Sequence, residues 1–281
     1  MRTALLDGDV YLFQAAMKAD VMIDWEDGLW TLHADEAVAV EEMLHLIERD
    51  VEATEADTFA FALSDPDRSN LFRKQVLPTY KAARTVVRKP TLISYLRTYA
   101  LKNFRVFEKP TLEGDDVLGI LLTHPGIITG EKVCVSIDKD LRTVPGLHYN
   151  PMHADYGIFE VSAEEGEAFF LKQVLAGDAV DGYGGCPGTG MTGADKAFEL
   201  PLQAWVEEEH TLKSGPNKGE TATRWKKQAL TGLTVWDVIV SYYEKAGLNE
   251  QEALRQARCA RILQHQDYDF DTAQAKLWNP R

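Results

Sequence analysis

Nine carboxylates recur at one kind of place in this chain, directly after short apolar runs or at the start of one. Asp7 stands with Asp9 at the end of "RTALLDGD" (2–9), and Asp65 closes "DTFAFALSD" (57–65). Glu113, Asp115 and Asp116 open "TLEGDDVLGILL" (111–122). Asp138 and Asp140 end "KVCVSIDKD" (132–140), and Asp178 and Asp181 lie in "GDAVDG" (177–182). One such acid reads as a helix cap, favoured by the dipole and by unpaired N–H groups. The first four of these groups, through Asp138 and Asp140, need more than caps. Brought together, like charges raise each other's pKa and destabilise the site unless a cation neutralises them. Carboxylates are hard oxygen donors, suited to Mg²⁺, which keeps water and leaves room for phosphate oxygens. A cluster of this size is compatible with two ions, an arrangement that activates water against a phosphodiester and stabilises the leaving oxygen.

Positioning those acids requires a scaffold with a common edge. The runs at 2–9, 57–65, 104–109 and 132–140 read as buried parallel strands. Between them "LHADEAVAVEEMLHLIERDVEA" (32–53) and "KPTLISYLRTYALKN" (89–103) have helical spacing. Alternating strands and helices predict an α/β domain with a mostly parallel central sheet, whose ligands bind at the carboxyl ends of the strands. That is where the acids stand. After about residue 160 the pattern changes to a helix, a glycine-rich hairpin "GGCPGTGMTG" and a second helix. The remainder reads as helical with one loop at 211–227. The expected division is a catalytic domain at 1–161 and a mainly helical domain at 162–281. The hairpin glycines offer backbone N–H groups suited to phosphate.

The 281 residues allow one large domain or two modest ones. Hydrophobic residues make up 45% and charged residues 26% of the chain, ordinary for a globular protein. No apolar stretch is long enough to span a membrane, and the N-terminus has no secretory pattern, so a cytoplasmic location is expected. Cys134, Cys186 and Cys259 form no CxxC pair, which speaks against a thiolate metal site. The net charge is −14, yet residues 67–109 are strongly basic. That segment reads either as a solvated helical face or as a grip on phosphates beside the acids. Lys213, Lys218, Arg224, Lys226 and Lys227 form a second basic stretch, which reads first as an ordinary polar loop and second as a DNA contact.

Taken in order, "LLDGD", "SDPDRSNLFRKQVLPTYKAAR", "LEGDDVLGIL", "VSIDKDLRTVPG" and "GDAVDGYGGCPGTG" resemble the motifs of the flap endonuclease and 5′→3′ exonuclease superfamily. Within it the chain is most similar to the exonucleases of T7-like bacteriophages, over essentially its whole length. The resemblance implies a PIN-like nuclease domain, a basic helical arch at about 67–90, and a three-helix helix-hairpin-helix element with its hairpin at about 184–193. It implies two Mg²⁺ ions, for which Mn²⁺ substitutes, and a K⁺ ion at the hairpin. By motif position, Asp7, Asp65, Glu113, Asp115 and Asp116 form or support the first metal site. Asp138 and Asp140 bridge, and Asp178 and Asp181 extend to the second. Lys81 and Arg84 fall where the family places basic residues over the scissile phosphate, and Tyr80 where a ring stacks on a terminal base. Arg73, Lys74, Arg88, Lys89, Gly185, Gly188, Gly190, Thr192 and Lys196 are the remaining DNA contacts expected from the resemblance. It implies duplex DNA with a free 5′ end, nick or flap as substrate, and an RNA–DNA hybrid as a further one, in phage replication and recombination. Products carry 5′-phosphates.

Two other readings compete. In a haloacid-dehalogenase-like phosphatase, Asp7 would attack phosphorus and "GDAVDG" would be the late metal motif. That leaves "EGDD", "DKD" and "PTYKAAR" unexplained. A non-catalytic DNA-binding module on the same scaffold would have lost some of the acids, and every matched position is present.

Overall fold

The first strand shows why a sheet forms here. In "RTALLD" the five residues from Thr3 to Asp7 are all buried, as expected of a strand covered on both faces. A computed structural model describes residues 1–83 and 88–280. They form two compact units. One comprises 1–75, 84–167 and 262–277; the other comprises 76–83, 168–261 and 278–281.

In the first unit the chain runs β1 (Arg2–Asp7), α1 (Gly8–Ala19), β2 (Asp20–Asp24), β3 (Trp30–Ala34), α2 (Glu36–Ala53) and β4 (Thr58–Leu63). It continues through α3 (Phe72–Val76), α4 (Ile93–Asn103), β5 (Val106–Glu108), α5 (Gly114–Thr123), β6 (Glu131–Val135), β7 (Gly146–Tyr149) and β8 (Phe159–Val161). The six-stranded sheet has the order β5-β4-β1-β6-β7-β8, parallel except for β8. The four strands expected from the sequence are its β5, β4, β1 and β6. In register, Leu5 faces Ala60 on one side and Cys134 on the other. Ala4, Leu6, Phe61, Leu63, Val133 and Val135 point to one face, where they pack with Leu12, Ala16, Met43 and Leu96 of α1, α2 and α4. Helix α5 packs against β1, β4 and β6. The expected helix at 32–53 starts later, at Glu36. Asp35 caps it, its Oδ1 accepting from the N–H of Ala37 at 2.8 Å, and residues 30–34 pair with β2 instead.

Segment 262–277 returns to this unit and closes on α5, so the expected boundary near 161 is not where the chain divides. The contact is tight: a Cβ on Gly119 would stand 2.3 Å from the backbone oxygen of Leu263. Gly119→Ala is therefore expected to cost about 2–3 kcal/mol, measured as a shift in urea midpoint at unchanged slope.

The second unit contains most of α6 (Ala163–Ala176), then α7 (Met191–Ala197), β9 (Ala204–Thr211), β10 (Thr221–Gln228), α8 (Val235–Lys245) and α9 (Glu250–Ala260). Phe170, Val174, Tyr183, Tyr243 and Ala257 form its core. Residues 204–228 correct the expectation of continued helix. They pair as an antiparallel hairpin in which Glu208 faces Arg224. Arg224 donates to the Glu208 carboxylate at 2.8 and 2.6 Å, so this basic stretch is partly neutralised by its own neighbouring strand. Alternation in "AWVEEEHT" has the period of a strand. Its three consecutive glutamates disguise that period as a solvated helix face.

The expected arch at 67–90 is, among the described residues, the short helix α3 followed by turns to Ala83. No helix among the described residues is long and apolar enough to cross a membrane.

Candidate functional site

The carboxylates of the first unit lie at the ends of its strands for a local reason. A parallel strand stops where its apolar run stops, and its last carbonyls and the next N–H groups need polar partners. Asp7 ends β1 and is buried. Its Oδ2 accepts the Ser136 hydroxyl at 2.8 Å, and the Ser136 oxygen accepts the Asp138 N–H at 3.0 Å. One serine just beyond β6 thus ties Asp7 to the Asp138 loop. Asp138 in turn accepts the Asp140 N–H at 2.8 Å. Ser64, just beyond β4, does the matching work on the other side. Its hydroxyl donates to Asp9 and accepts the Gly114 N–H at 2.7 Å. Arg68 pairs with the same Asp9 oxygen at 3.0 Å. Ser64 and Ser136 were not among the expected residues. The available signal was a small hydroxyl at each strand end, one or two positions before an acid.

Burial is the largest cause pushing the Asp7 carboxyl up to about 7, with the charges of Asp9 and Asp138 adding to it. The thiol of Cys134, on β6, is pushed up chiefly by burial and then by Asp7, Asp115 and Asp138. Asp7, Asp115 and Asp138 thus all act on the thiol of Cys134, near the carboxyl end of β6. Among the described residues no three potential ligands converge closely enough to hold an ion as they stand. Their donor chemistry nonetheless suits a hard divalent cation: all offer oxygen donors only.

The "EGDD" acids divide. Asp116 Oδ1 accepts from Arg73 Nη2 at 2.8 Å and the Leu263 N–H at 3.1 Å. Its Oδ2 accepts from Arg73 Nη1 at 2.6 Å and the Glu113 N–H at 3.2 Å. Those four bonds fill the lone-pair positions of a carboxylate. Asp116 is therefore an anchor for the start of α5, its oxygens taken up by Arg73 and two backbone N–H groups. Glu113 Oε2 also accepts from Arg73 Nη1, at 3.0 Å. Asp115, between them, is partly exposed. Asp65 orders its own loop, accepting the N–H groups of Asp67 at 2.8 Å and Thr111 at 2.6 Å.

In the second unit Asp178 and Asp181 sit on a tight turn after α6. The backbones of Asp178 and Tyr183 pair across it, at 2.7 and 3.1 Å, and Asp178 Oδ1 accepts the Val180 N–H at 2.8 Å. Because the turn follows a helix, it lacks the preceding strand that the phosphatase reading needs. Lys81 joins this turn: its N–H donates to the Asp181 carbonyl at 2.8 Å, and its Nζ stands 3.2 Å from Asp181 Oδ2. Arg84, its expected companion, lies outside the described residues.

Three of the residues expected to contact DNA are buried. Arg73 has a side chain 3% exposed and is spent on Asp116 and Glu113. Tyr80 is 2% exposed, packs in the core of the second unit and donates its hydroxyl to Asp181 Oδ2 at 3.1 Å. Gly185 is buried, and its N–H is used by Gln256 Oε1 at 3.0 Å. Arg88 pairs with Asp20 at 2.8 Å while remaining exposed. Lys89, Gly188, Gly190, Thr192 and Lys196 are exposed, and Lys74 is partly so.

With this arrangement the chain matches known proteins along nearly its full length. It is 34% identical over 287 aligned residues to the exodeoxyribonuclease of enterobacteria phage T3, covering 99% of this chain and 92% of that one. It is 32% identical over 290 aligned residues to the exonuclease of Escherichia phage T7, covering 98% and 93%. The chain belongs to the T3/T7 phage exonuclease family. It is a nuclease, and the phosphatase and binding-module readings fall away. No protein-family model matches it. Among solved structures it shares its fold with a mutant of the phage T5 5′-exonuclease, at TM-score 0.50 and 14% identity over 91% of this chain and 86% of that one. A phage T5 flap endonuclease solved as a pseudo-enzyme-product complex with DNA and metal ions gives TM-score 0.51 at 14% identity, over 72% and 76%. A third, the T5 5′-exonuclease with bound zinc, gives 0.50 at 16% over the same shares. At these identities the T5 likeness concerns the fold, a mixed α/β domain with a mostly parallel sheet.

Proposed function

We propose that this member of the T3/T7 family is a divalent-metal-dependent 5′→3′ exonuclease on duplex DNA. It would release 5′-phosphorylated mononucleotides or short oligonucleotides. The observation that carries the reading is the placement of Asp7 at the end of β1, tied through Ser136 to the Asp138 loop beyond β6, with the start of α5 held by Ser64 just beyond β4. Asp7, Asp115 and Asp138 are the residues that would hold the first ion, with Asp65 and Asp140 in support. Asp178 and Asp181 offer a second set of oxygen donors. When bound, Mg²⁺ supplies acidity to the attacking water and neutralises charge on the leaving 3′ oxygen.

The chain's own groups do the rest. Ser136 orients Asp7 and the Asp138 loop together, so both present oxygens without having to reorganise. Lys81 brings its ammonium to the Asp178–Asp181 turn, where it would stabilise negative charge developing on the phosphate. Exposed Lys89 and Lys196, and the partly exposed Lys74, would contribute sequence-independent attraction to DNA. Flap cleavage, removal of RNA from a hybrid and a K⁺ ion at the glycine hairpin belong to the same proposal.

The test uses duplex DNA labelled separately at its 5′ and 3′ ends, incubated with Mg²⁺ or EDTA. Early loss of the 5′ label as very short products, in Mg²⁺ only, is the expected result. Cleavage in EDTA would remove the metal role. Early loss of the 3′ label would reverse the polarity.

A further inference from the structure

Arg73 lies in a basic stretch but takes no part in its surface. Its guanidinium is buried at 3% side-chain exposure, between Glu113 at 5% and Asp116 at 0%. Two parallel contacts to Asp116, at 2.6 and 2.8 Å, make the planar fork that only arginine offers. DNA has no route to a charge so enclosed.

Stability alone is a poor reason for this group. Buried ion clusters often contribute little net stability compared with apolar side chains of similar volume, because desolvation offsets the attraction. They do impose one geometry. Here that geometry concerns the start of α5. Asp116 takes hydrogen bonds from Arg73, from the backbone of Glu113 and from the backbone of Leu263, which fixes the first turn in depth and rotation. Asp115 is the residue between the two that Arg73 holds.

We propose that Arg73 is a positioning residue, whose grip on Asp116 and Glu113 holds the first turn of α5, and with it Asp115, at the carboxyl end of the sheet where Asp7 and the Asp138 loop stand. It also withdraws Glu113 and Asp116 from the charge that a cation must neutralise, leaving Asp115 as the acid of "EGDD" that serves the ion. This rests on the metal-dependent reading above.

The test is Mn²⁺ binding to the protein without DNA, followed by electron paramagnetic resonance, alongside steady-state cleavage of a 5′-labelled duplex. Arg73→Lys keeps the charge and loses the fork. It is expected to weaken Mn²⁺ binding and lower kcat by about ten- to a hundredfold each, as loss of a partner behind metal ligands does. KM for DNA and its salt dependence stay within twofold of wild type, by contrast with a phosphate contact, whose loss weakens binding and makes the salt slope shallower by about one. Asp116→Asn, which keeps the shape, shows the same pattern. The double variant is no worse than the poorer single one. If Arg73→Lys does not fold, Asp116→Asn alone decides.

Unchanged Mn²⁺ affinity and kcat in the folded variants overturn the inference. So does an effect confined to KM with a shallower salt slope, which would make Arg73 a DNA contact. Wild-type protein that takes up no Mn²⁺ would instead overturn the metal-dependent reading itself.

Discussion

Replacing Asp7 by asparagine is expected to abolish cleavage, by a factor of about a thousand or more, and to make the metal-free protein more stable at pH 8. The two effects have one cause. Asp7 is a buried acid whose ionisation is opposed first by desolvation and then by Asp9 and Asp138, lifting it from 3.8 to about 7. A folded-state value above the unfolded one means that the unfolded chain loses this proton first as pH rises. Below about pH 4 both states keep it, and Asp7 costs no stability. Between pH 4 and 7 the folded state is progressively penalised, and above pH 7 the full penalty applies. The lift from 3.8 to about 7 is worth at most ~4 kcal/mol. Asparagine keeps an acceptor for Ser136 and carries no charge.

Urea unfolding in EDTA should therefore show Asp7→Asn more stable than wild type at pH 8, with the difference gone at pH 4. Adding Mg²⁺ at pH 8 should stabilise wild type and leave the variant nearly unmoved, because binding to the folded state adds stability only where a ligand set remains. A pH-independent difference would show that Asp7 is not the strained acid described. Retained cleavage would remove it from the chemistry.

The second large effect is expected at Lys81. Lys81→Ala should lower kcat by about a hundred- to a thousandfold while changing DNA affinity much less. An oriented charge acts chiefly on the charge that develops in the transition state, whereas affinity is shared among many phosphate contacts. The geometry supports an oriented charge: the ammonium stands 3.2 Å from Asp181 Oδ2 and 5.1 Å from the Tyr80 ring centre. Lys81 has a positive φ of 50°, which alanine tolerates no better or worse, so the backbone strain stays constant across the substitution. Tyr80→Phe serves as the control. It removes one hydrogen bond to Asp181 and is expected to cost about 1 kcal/mol of stability with little effect on kcat. Pre-steady-state cleavage of a 5′-labelled duplex would separate the two. Equal losses in affinity and turnover for Lys81→Ala would assign it to ordinary backbone binding.

The central sheet was legible because strand formation is local. Runs such as "TALLD" and "KVCV" are too apolar to lie anywhere but inside, and an acid at the end of each must mark where the strand leaves the core. The same reasoning puts Asp7, Asp65 and Asp138 at one edge of the sheet. Sequence order also carried the family, since five motifs in series are far more specific than any one of them.

Tertiary structure alone decided which partner each charge meets. Arg73 and Lys81 are eight residues apart in one basic stretch, and nothing local distinguishes them. Arg73 is buried against Asp116 because α5 starts beside it, and Lys81 meets Asp181, a hundred positions further along the chain. Within "EGDD" the neighbours Asp115 and Asp116 have the same side chain. The rotation of α5 turns one towards Arg73 and leaves the other partly exposed. The return of 262–277 to α5 and the pairing of 204–211 with 221–228 were equally hidden. Such contacts draw their free energy from partners distant in sequence. A residue's type and its immediate neighbours determine whether it wants a partner, and only the folded chain determines which partner it gets.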